Sequence, residues 1–191
     1  MPVILHRNID VNTQISIWKM SETIDDLLDS GLVLPKNIKS NKRKKEWICS
    51  RLLLQKISPN ASVEYNQYGA PILSNGKAVS ISHSHDYCVI LISKKIAAID
   101  LELISVKSDR LKSQFISKQE VGHITKSEIS TLIWCAKECL FKIHQRGNLI
   151  FKKDLIINKI KENFIITLLK NTTYKLHYEK FENYYLVYYF E

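Results

Sequence analysis

Two helix-length segments, each bordered by short strand patterns, constrain most strongly how this chain can fold. The segments 42–57 and 126–144 both read as helices, and the first carries an apolar stripe that includes Trp47 and Leu54. Ser58-Pro59 ends the first segment and Gly147 ends the second. The pattern predicts an α+β protein with two similar halves, each with helices packed on a small antiparallel sheet.

The remaining elements are predicted from shorter runs of apolar and β-branched residues. Strands are expected at 3–9, 62–65, 78–82, 87–92, 96–101, 165–168 and 184–190, and helices at 15–28 and 117–121. Ser93-Lys94-Lys95 lies between two of these strands and predicts a hairpin. The tyrosines of the last strand pair at strand spacing, which predicts that they fill both of its faces.

Composition argues for one compact unit in two halves, 1–95 and 96–191. The 191 residues include only 5 Gly and 4 Pro, and no Ser/Gly-rich linker separates tethered domains. No apolar run approaches the roughly 20 residues of a membrane span. The first residues lack the order of a signal peptide, so we expect a soluble cytoplasmic protein. With two halves in one chain, we expect it to be a monomer. The four cysteines have neither disulfide nor zinc spacing, which predicts buried free thiols.

The net charge of +9 predicts attraction to polyanions. The densest basic run is Lys39 to Lys45, and Arg51 follows about two turns later on the same predicted helix. The run fits either a solvated helix start or a contact with phosphate or an acidic protein. Charge alone does not choose between these. No recognisable nucleic-acid-binding motif accompanies the charge, so we expect no nucleic-acid partner.

Two carboxylates occupy one face of the strand that contains Ile99-Asp100-Leu101-Glu102. Successive strand residues point to opposite faces, so Asp100 and Glu102 share a face. On the later helix, Glu138 and Lys142 lie four residues apart and also share a face. Three oxygen ligands with an ammonium group suit Mg²⁺ and a phosphate, and hard oxygen ligands accept Mn²⁺ as well.

A polar cluster, Ser82-His83-Ser84, ends the strand before the carboxylates. Its hydroxyls, imidazole and backbone N–H groups fit phosphate binding. A nucleophilic hydrolase site is the other chemical interpretation, but neither its strained turn nor an oxyanion hole is visible. Taken singly, each of these motifs also fits an ordinary structural role, as an ion-paired strand end or a charged helix face.

The order of four segments is more informative than any one of them. Together they resemble the 4′-phosphopantetheinyl transferases, specifically the larger single-chain branch that activates peptide and polyketide synthetases. The segments are Gly69-x-Pro71, Ile81-Ser82-His83-Ser84, Ile99-Asp100-x-Glu102 and Trp134-x-x-Lys137-Glu138-x-x-x-Lys142. The resemblance covers roughly 41–151 and implies a pseudo-dimer of two similar halves with the cofactor between them.

The resemblance implies transfer of phosphopantetheine from coenzyme A to a serine of an apo acyl or peptidyl carrier protein. Adenosine 3′,5′-bisphosphate would be the other product. Carrier proteins are typically acidic, so a basic enzyme should meet them through charge. The matched positions imply Asp100, Glu102 and Glu138 as Mg²⁺ ligands, with Glu138 and Lys142 catalytic. Lys137 and Lys142 would lie near the phosphates, and Ser82 and His83 near the adenylate.

Three positions depart from the family pattern. Ala70 stands where a basic residue that contacts coenzyme A is usual, Ser80 where Asn is common, and Ala98 where Gly is usual. Lys42, Arg43 and Arg51 are the candidates to replace the missing charge at Ala70. A non-catalytic member that binds carrier protein or nucleotide remains an alternative. Retention of all three carboxylates with Lys142 favours an enzyme.

Overall fold

Runs of strands and runs of helices follow one another along residues 3–191, which are the residues that this computed structural model describes. The first half of the chain contains β1 (Val3–Asn8), β2 (Gln14–Lys19), α1 (Ile24–Leu28), α2 (Asn41–Ile57), β3 (Val63–Tyr65), β4 (Pro71–Leu73), β5 (Ala78–Ser84) and β6 (Tyr87–Ser93). The second contains β7 (Ala97–Leu103), α3 (Val106–Phe115), a 3₁₀-helix (Lys118–His123), α4 (Ser127–His144), α5 (Phe151–Asp154), β8 (Leu155–Ile160), β9 (Phe164–Leu169), β10 (Thr172–Phe181) and β11 (Tyr184–Phe190).

The strands form two larger antiparallel sheets and one small one. The first sheet has the order β1-β2-β6-β5, and the second has the order β7-β11-β10-β9-β8. β3 and β4 pair separately. The predicted mixture of helices with antiparallel sheets is confirmed.

Three apolar layers hold these elements together. α2 covers the first sheet, where Ile48 and Leu53 pack among residues that include Trp18. α4 covers the second sheet, where Ile133 and Leu140 share a cluster with strand residues such as Val187 and Leu176. A third cluster joins the opposite faces of the two sheets; its members include Ile15, Val89, Ile99, Leu101 and Leu186. The sheets therefore share a core, and burial of this apolar area stabilises their contact.

Three serines of β5 connect the first sheet to the second. Ser80, Ser82 and Ser84 alternate along the strand and are buried at 3%, 6% and 7% exposure. Their hydroxyls accept hydrogen bonds from the backbone N–H groups of alternate β7 residues: Ile99 to Ser80 (3.0 Å), Leu101 to Ser82 (3.3 Å) and Leu103 to Ser84 (3.2 Å). We call this set the serine ladder. It places the end of β5 directly beside the carboxylates of β7.

The helix predicted at 15–28 is wrong over most of its length. Gln14–Lys19 is instead a strand of the first sheet, between β1 and β6. Ile15, Ile17 and Trp18 are fully buried there because the strand is covered on both faces. Only Ile24–Leu28 is helical, and the Thr23 side chain caps its start.

The hairpin predicted around Ser93-Lys94-Lys95 is also wrong. β6 pairs with β2 and β5, whereas β7 pairs with β11, so the two strands belong to different sheets. The four cysteines are buried free thiols, as predicted. Among the helices of the described residues, none is long and apolar enough to cross a membrane. Met1 and Pro2, which enter the argument about the N-terminal sequence, lie outside the described residues.

Candidate active site

The carboxylates of β7 meet the helix α4 at one place. Ile99 and Leu101 are buried between the sheets, and Asp100 and Glu102 therefore face away from that layer, towards α4. The Lys142 ammonium lies 2.8 Å from Asp100 Oδ1 and also donates to the carbonyl of Ile99 at 2.8 Å. The structure thus brings Lys142 of the predicted helix motif into contact with Asp100 of the predicted strand motif.

Electrostatics link Asp100, Glu102 and Glu138. Burial raises the pKa of Glu102 to about 7, with a further contribution from Asp100, while the Trp134 hydrogen bond and Lys142 act in the opposite direction. Burial and the same Asp100 charge raise the pKa of Glu138 to about 7, against Lys142. Burial would lower the pKa of Lys142, but the charge and hydrogen bond of Asp100 raise it overall. These residues form an acidic cluster with one internal counter-charge.

The donor atoms of this cluster suit a hard divalent cation. One oxygen of Asp100 accepts from Ser82 and Lys142, whereas Asp100 Oδ2 is buried and has no hydrogen-bond partner among residues 3–191. A buried carboxylate oxygen without a partner is costly, and so is repulsion between neighbouring carboxylates. A bound cation relieves both costs. Within residues 3–191 no three His, Cys, Asp or Glu side chains are already arranged to hold a metal. The assignment of Asp100, Glu102 and Glu138 as ligands therefore stays a prediction.

Two cavities that share lining residues open beside the cluster on the Lys142 side. One has a volume of about 310 Å³, and Glu138, Lys142, His83 and Arg51 line it together with the aromatic rings of Tyr65, Tyr68 and Phe141. The other has a volume of about 380 Å³, and its lining residues include Lys42, Arg43, Ser82, His83 and Lys142. Six of the seven predicted cofactor contacts border these two cavities: Lys42, Arg43, Arg51, Ser82, His83 and Lys142.

The basic residues at the start of α2 are only partly neutralised. Ser40 caps the helix by accepting from the Arg43 backbone N–H. Buried Glu46 lies 3.8 Å from the Lys42 ammonium and 3.1 Å from the Arg43 guanidinium. Both cationic side chains stay about three-quarters exposed, at 73% and 76%. Two cations share one carboxylate at a helix N-terminus, which leaves a net attraction for anions.

Arg51 is held at the wall of the 310 Å³ cavity. Its guanidinium donates to the Tyr65 hydroxyl at 2.8 Å and lies over the Trp47 ring, 4.7 Å from the centroid. Ala70 lines the same cavity. Arg51 therefore gives this cavity a fixed positive charge, which Ala70 cannot provide.

Ser82 and His83 have contacts within the protein as well as at the cavity. Ser82 Oγ donates to Asp100 Oδ1 at 2.8 Å while it takes part in the serine ladder. His83 Nε2 donates to the backbone carbonyl of Glu46 at 3.1 Å. The strand end thus supports the acidic cluster and ties α2 to it.

The burial of His83 predicts a loss of stability in acid. Burial, with help from Lys142, lowers the pKa of His83 to about 4. An unfolded histidine takes up a proton near pH 6.5, and the folded one does not, so this contribution is lost as pH falls from about 6.5 towards 4. We expect wild type to lose about 1–2 kcal/mol more than His83→Gln between pH 7 and pH 5. Urea unfolding of both proteins at the two pH values measures this. An equal loss would show that His83 is not the source.

Lys137 does not bind a phosphate in this geometry, so that prediction is wrong. Its side chain is fully buried, and its ammonium donates to Phe115 O (2.7 Å), Glu120 Oε2 (2.8 Å) and Phe151 O (3.0 Å). Neighbouring positions on a helix are about 100° apart, which turns Lys137 into the protein beside Glu138.

Sequence reasoning missed Glu120, the partner of Lys137. Ser117-x-x-Glu120 has the form of a capping box, and the structure forms its glutamate half: the Ser117 backbone N–H donates to Glu120 Oε2 at 2.7 Å at the start of the 3₁₀-helix. That local signal could have located Glu120. Nothing local connects it with Lys137 on the next long helix.

A further cavity, about 610 Å³ in volume, lies on the Glu102 side of the cluster. Its lining includes the apolar side chains of Leu111, Phe115, Trp134 and Phe151. Trp134 Nε1 donates to Glu102 Oε1 at 2.9 Å. The carboxylates therefore lie between a cationic pair of cavities and a larger cavity with several aromatic and aliphatic side chains in its wall.

Comparison with known proteins finds a related transferase. The chain is 27% identical over 130 residues to the 4′-phosphopantetheinyl transferase gsp of Aneurinibacillus migulanus. The resemblance to the 4′-phosphopantetheinyl transferases is confirmed. The matched region covers 63% of this chain and 55% of that relative, so the chain spans about half the length of the curated protein it matches. No model of a known protein family matches the chain.

The segments that resemble the 4′-phosphopantetheinyl transferases lie near each other in space. Gly69 and Pro71 line the 310 Å³ cavity with His83 of the second segment and Glu138 of the fourth. Asp100 of the third segment contacts Ser82 of the second and Lys142 of the fourth. Residues that are distant in sequence but carry the resemblance therefore border a single region.

Proposed function

We propose that this chain transfers 4′-phosphopantetheine from coenzyme A to a serine of an apo acyl or peptidyl carrier protein. The products would be holo carrier protein and adenosine 3′,5′-bisphosphate. The observation that carries the proposal is the position of Asp100, Glu102, Glu138 and Lys142 beside cavities lined by cations. Such a site can hold a polyanionic cofactor and neutralise a phosphate that departs.

The cationic cavities would bind and orient coenzyme A. Lys42, Arg43 and Arg51 offer charges for its phosphates, while the aromatic rings of Tyr65 and Tyr68 offer surfaces for its base. Lys142 would contact the pyrophosphate from the position where it now pairs with Asp100. Phosphoryl transfer depends mainly on positioning and charge neutralisation, so these contacts account for much of the expected rate.

Asp100, Glu102 and Glu138 are the residues that would hold Mg²⁺, with Mn²⁺ as a substitute. The bound ion would neutralise the pyrophosphate and stabilise the charge that develops on the leaving phosphate. Glu138 would accept the proton of the carrier serine as the serine oxygen forms a bond to the β-phosphorus of coenzyme A. The bond from that phosphorus to the oxygen of adenosine 3′,5′-bisphosphate breaks in the same step. Without metal, burial and Asp100 raise the pKa of Glu138 to about 7; a bound cation would lower it and keep the carboxylate ionised, as a general base requires.

The proposal extends to the architecture. Residues 1–95 and 96–191 would be two similar halves of a pseudo-dimeric monomer that acts in the cytoplasm. The shared apolar layer between the two sheets and the serine ladder support a fixed junction between these halves. Clefts between such units are common ligand sites.

Intact mass spectrometry tests the proposed reaction directly. The protein is incubated with coenzyme A, Mg²⁺ and an apo carrier protein, and the carrier should gain the mass of one phosphopantetheinyl group. A carrier whose acceptor serine is replaced by alanine is the control and should stay unmodified. Binding of an unmodified carrier would instead support the non-catalytic alternative, which the uncharged Ala70 in the cavity wall favours.

The basic run of α2 offers matched pairs of variants. Lys42 and Arg43 line the 380 Å³ cavity, whereas Lys44 and Lys45 do not. We expect Lys42→Gln with Arg43→Gln to raise the KM for coenzyme A by about tenfold to a hundredfold, the loss of one or two charge-assisted phosphate contacts of about 1.4 kcal/mol each. Lys44→Gln with Lys45→Gln should leave this KM within about twofold of wild type, because such surface charges contribute little on their own.

Steady-state kinetics with coenzyme A and with carrier protein as the varied substrate separates the two uses of this run. A rise in the carrier KM alone, sensitive to added salt, would assign the run to an acidic carrier surface. Equal KM values for coenzyme A in the two double variants would show that Lys42 and Arg43 do not belong to the cofactor site.

A further inference from the structure

Trp134 makes the polar contact to Glu102 from α4. Its indole Nε1 donates to Glu102 Oε1 at 2.9 Å, on the opposite side of the acidic cluster from Lys142 and the cationic cavities. A carboxylate is rigid and planar, so fixing one oxygen also fixes the direction of the other. The indole therefore restricts how Glu102 can present its second oxygen to a ligand.

Two aromatic rings hold the indole in place. The Phe151 ring stacks on it with a centroid distance of 5.4 Å and an interplanar angle of 23°. The Phe115 ring meets it edge to face at 5.1 Å. Such pairs stabilise a defined orientation beyond their burial alone. Phe115 ends α3 and Phe151 begins α5, so the indole orientation depends on how these helices are fixed.

The buried ammonium of Lys137 fixes the backbone at both of these phenylalanines. It donates to the carbonyl oxygens of Phe115 and Phe151 at 2.7 and 3.0 Å, and to Glu120 at 2.8 Å. Glu120 accepts in turn from the backbone N–H groups of Ser117 and Ile157, each at 2.7 Å. Both charged side chains are fully buried and bonded to their surroundings, which gives the arrangement little freedom to move.

We propose that Trp134 is a positioning residue that orients Glu102 for the metal, and that the Lys137–Glu120 pair holds Trp134 in place through Phe115 and Phe151. This inference rests on the proposed function, because it assumes that Glu102 is a metal ligand. Under this proposal Lys137 supports the same site although it does not contact the phosphates. Groups that hydrogen-bond to metal ligands commonly change metal affinity by about 10- to 100-fold when they are removed.

The test measures Mn²⁺ binding to the intact protein by calorimetry, without turnover. Trp134→Phe keeps an aromatic ring between the phenylalanines but removes the indole N–H. We expect the Kd for Mn²⁺ to rise roughly tenfold or more, while the KM for coenzyme A at saturating metal stays near the wild-type value.

Trp18→Phe is the matched control. The indole of Trp18 is also buried and also donates to a carboxylate, Glu22 Oε2 at 3.2 Å, but it belongs to the first sheet. This variant should keep the wild-type Kd for Mn²⁺. Phe151→Leu, which removes the stacked ring and leaves the indole N–H, should give an intermediate rise and serves if Trp134→Phe does not fold.

The outcomes distinguish this inference from the function on which it rests. If wild type and Trp18→Phe bind Mn²⁺ and Trp134→Phe binds it equally well, the positioning role is overturned while the proposed function stands. An unchanged Kd in Phe151→Leu would likewise overturn the role of the aromatic walls. If wild type binds no Mn²⁺, both the metal assignment and the inference fail.

Discussion

Asp100→Ala should lower the rate of phosphopantetheine transfer by more than about a hundredfold. Asp100 contributes to the raised pKa of both Glu102 and Glu138 and accepts from Lys142 and Ser82. Its other oxygen is buried and has no partner in the part of the chain that the structure describes. Without it, two carboxylates would hold the metal poorly against the pyrophosphate. The fold should survive, because removing one charge from a cluster of like charges relieves repulsion in the metal-free protein. Intact mass of the carrier over time measures the rate.

Asp109→Ala is a matched control for this variant. Asp109 also accepts from one lysine and one serine, Lys112 at 2.9 Å and Ser130 at 3.0 Å, but it lies on α3 outside the cluster. It should retain near-wild-type transfer. Near-wild-type turnover by a folded Asp100→Ala protein would remove Asp100 from the site.

Lys137→Met should lower the free energy of unfolding by about 3–5 kcal/mol. The methionine keeps much of the apolar stem, but it leaves Glu120 buried with no opposite charge and frees two backbone carbonyls. Such a loss is a large share of the roughly 5–15 kcal/mol that stabilises a typical domain. Urea unfolding at pH 7 measures it.

Lys180→Met provides the comparison at an exposed ion pair. The Lys180 ammonium lies 3.0 Å from Glu128, and the two side chains are 51% and 30% exposed. Its removal should cost less than about 1 kcal/mol, because solvent screens the pair. Similar losses for the two variants would contradict the assigned importance of the buried pair.

Prediction from the sequence was most accurate where a single periodicity applies and each face of the element has one kind of environment. Alternation on β7 predicted correctly that Asp100 and Glu102 share one face, and the structure buries Ile99 and Leu101 on the other. On β11, Tyr184 belongs to the cluster between the sheets and Tyr185 to the cluster under α4, so these tyrosines do fill both faces.

Prediction failed where burial on two sides or a distant partner decides the outcome. Residues 14–19 are covered on both faces, and Trp18 interrupts the alternation of Gln14-Ile15-Ser16-Ile17, so this short run does not separate a strand from a helix. Lys137 looks like part of a charged helix face, and only its tertiary contact with Glu120 turns it inward. Ser82 and Ser84 are predicted to contact phosphate, and no local signal indicates that their hydroxyls also accept from the backbone of β7.

The serine ladder has a consequence for the solubility of the chain. β5 is the outermost strand of one sheet and β7 the outermost strand of the other, so each presents an edge that could template the addition of a foreign strand. The hydroxyls of Ser80, Ser82 and Ser84 occupy alternate N–H groups of the β7 edge and keep β5 against it. Each of these two edge strands therefore protects the other from pairing with another molecule. The two sheets stay separate, because side-chain hydroxyls rather than backbone carbonyls of β5 accept these hydrogen bonds.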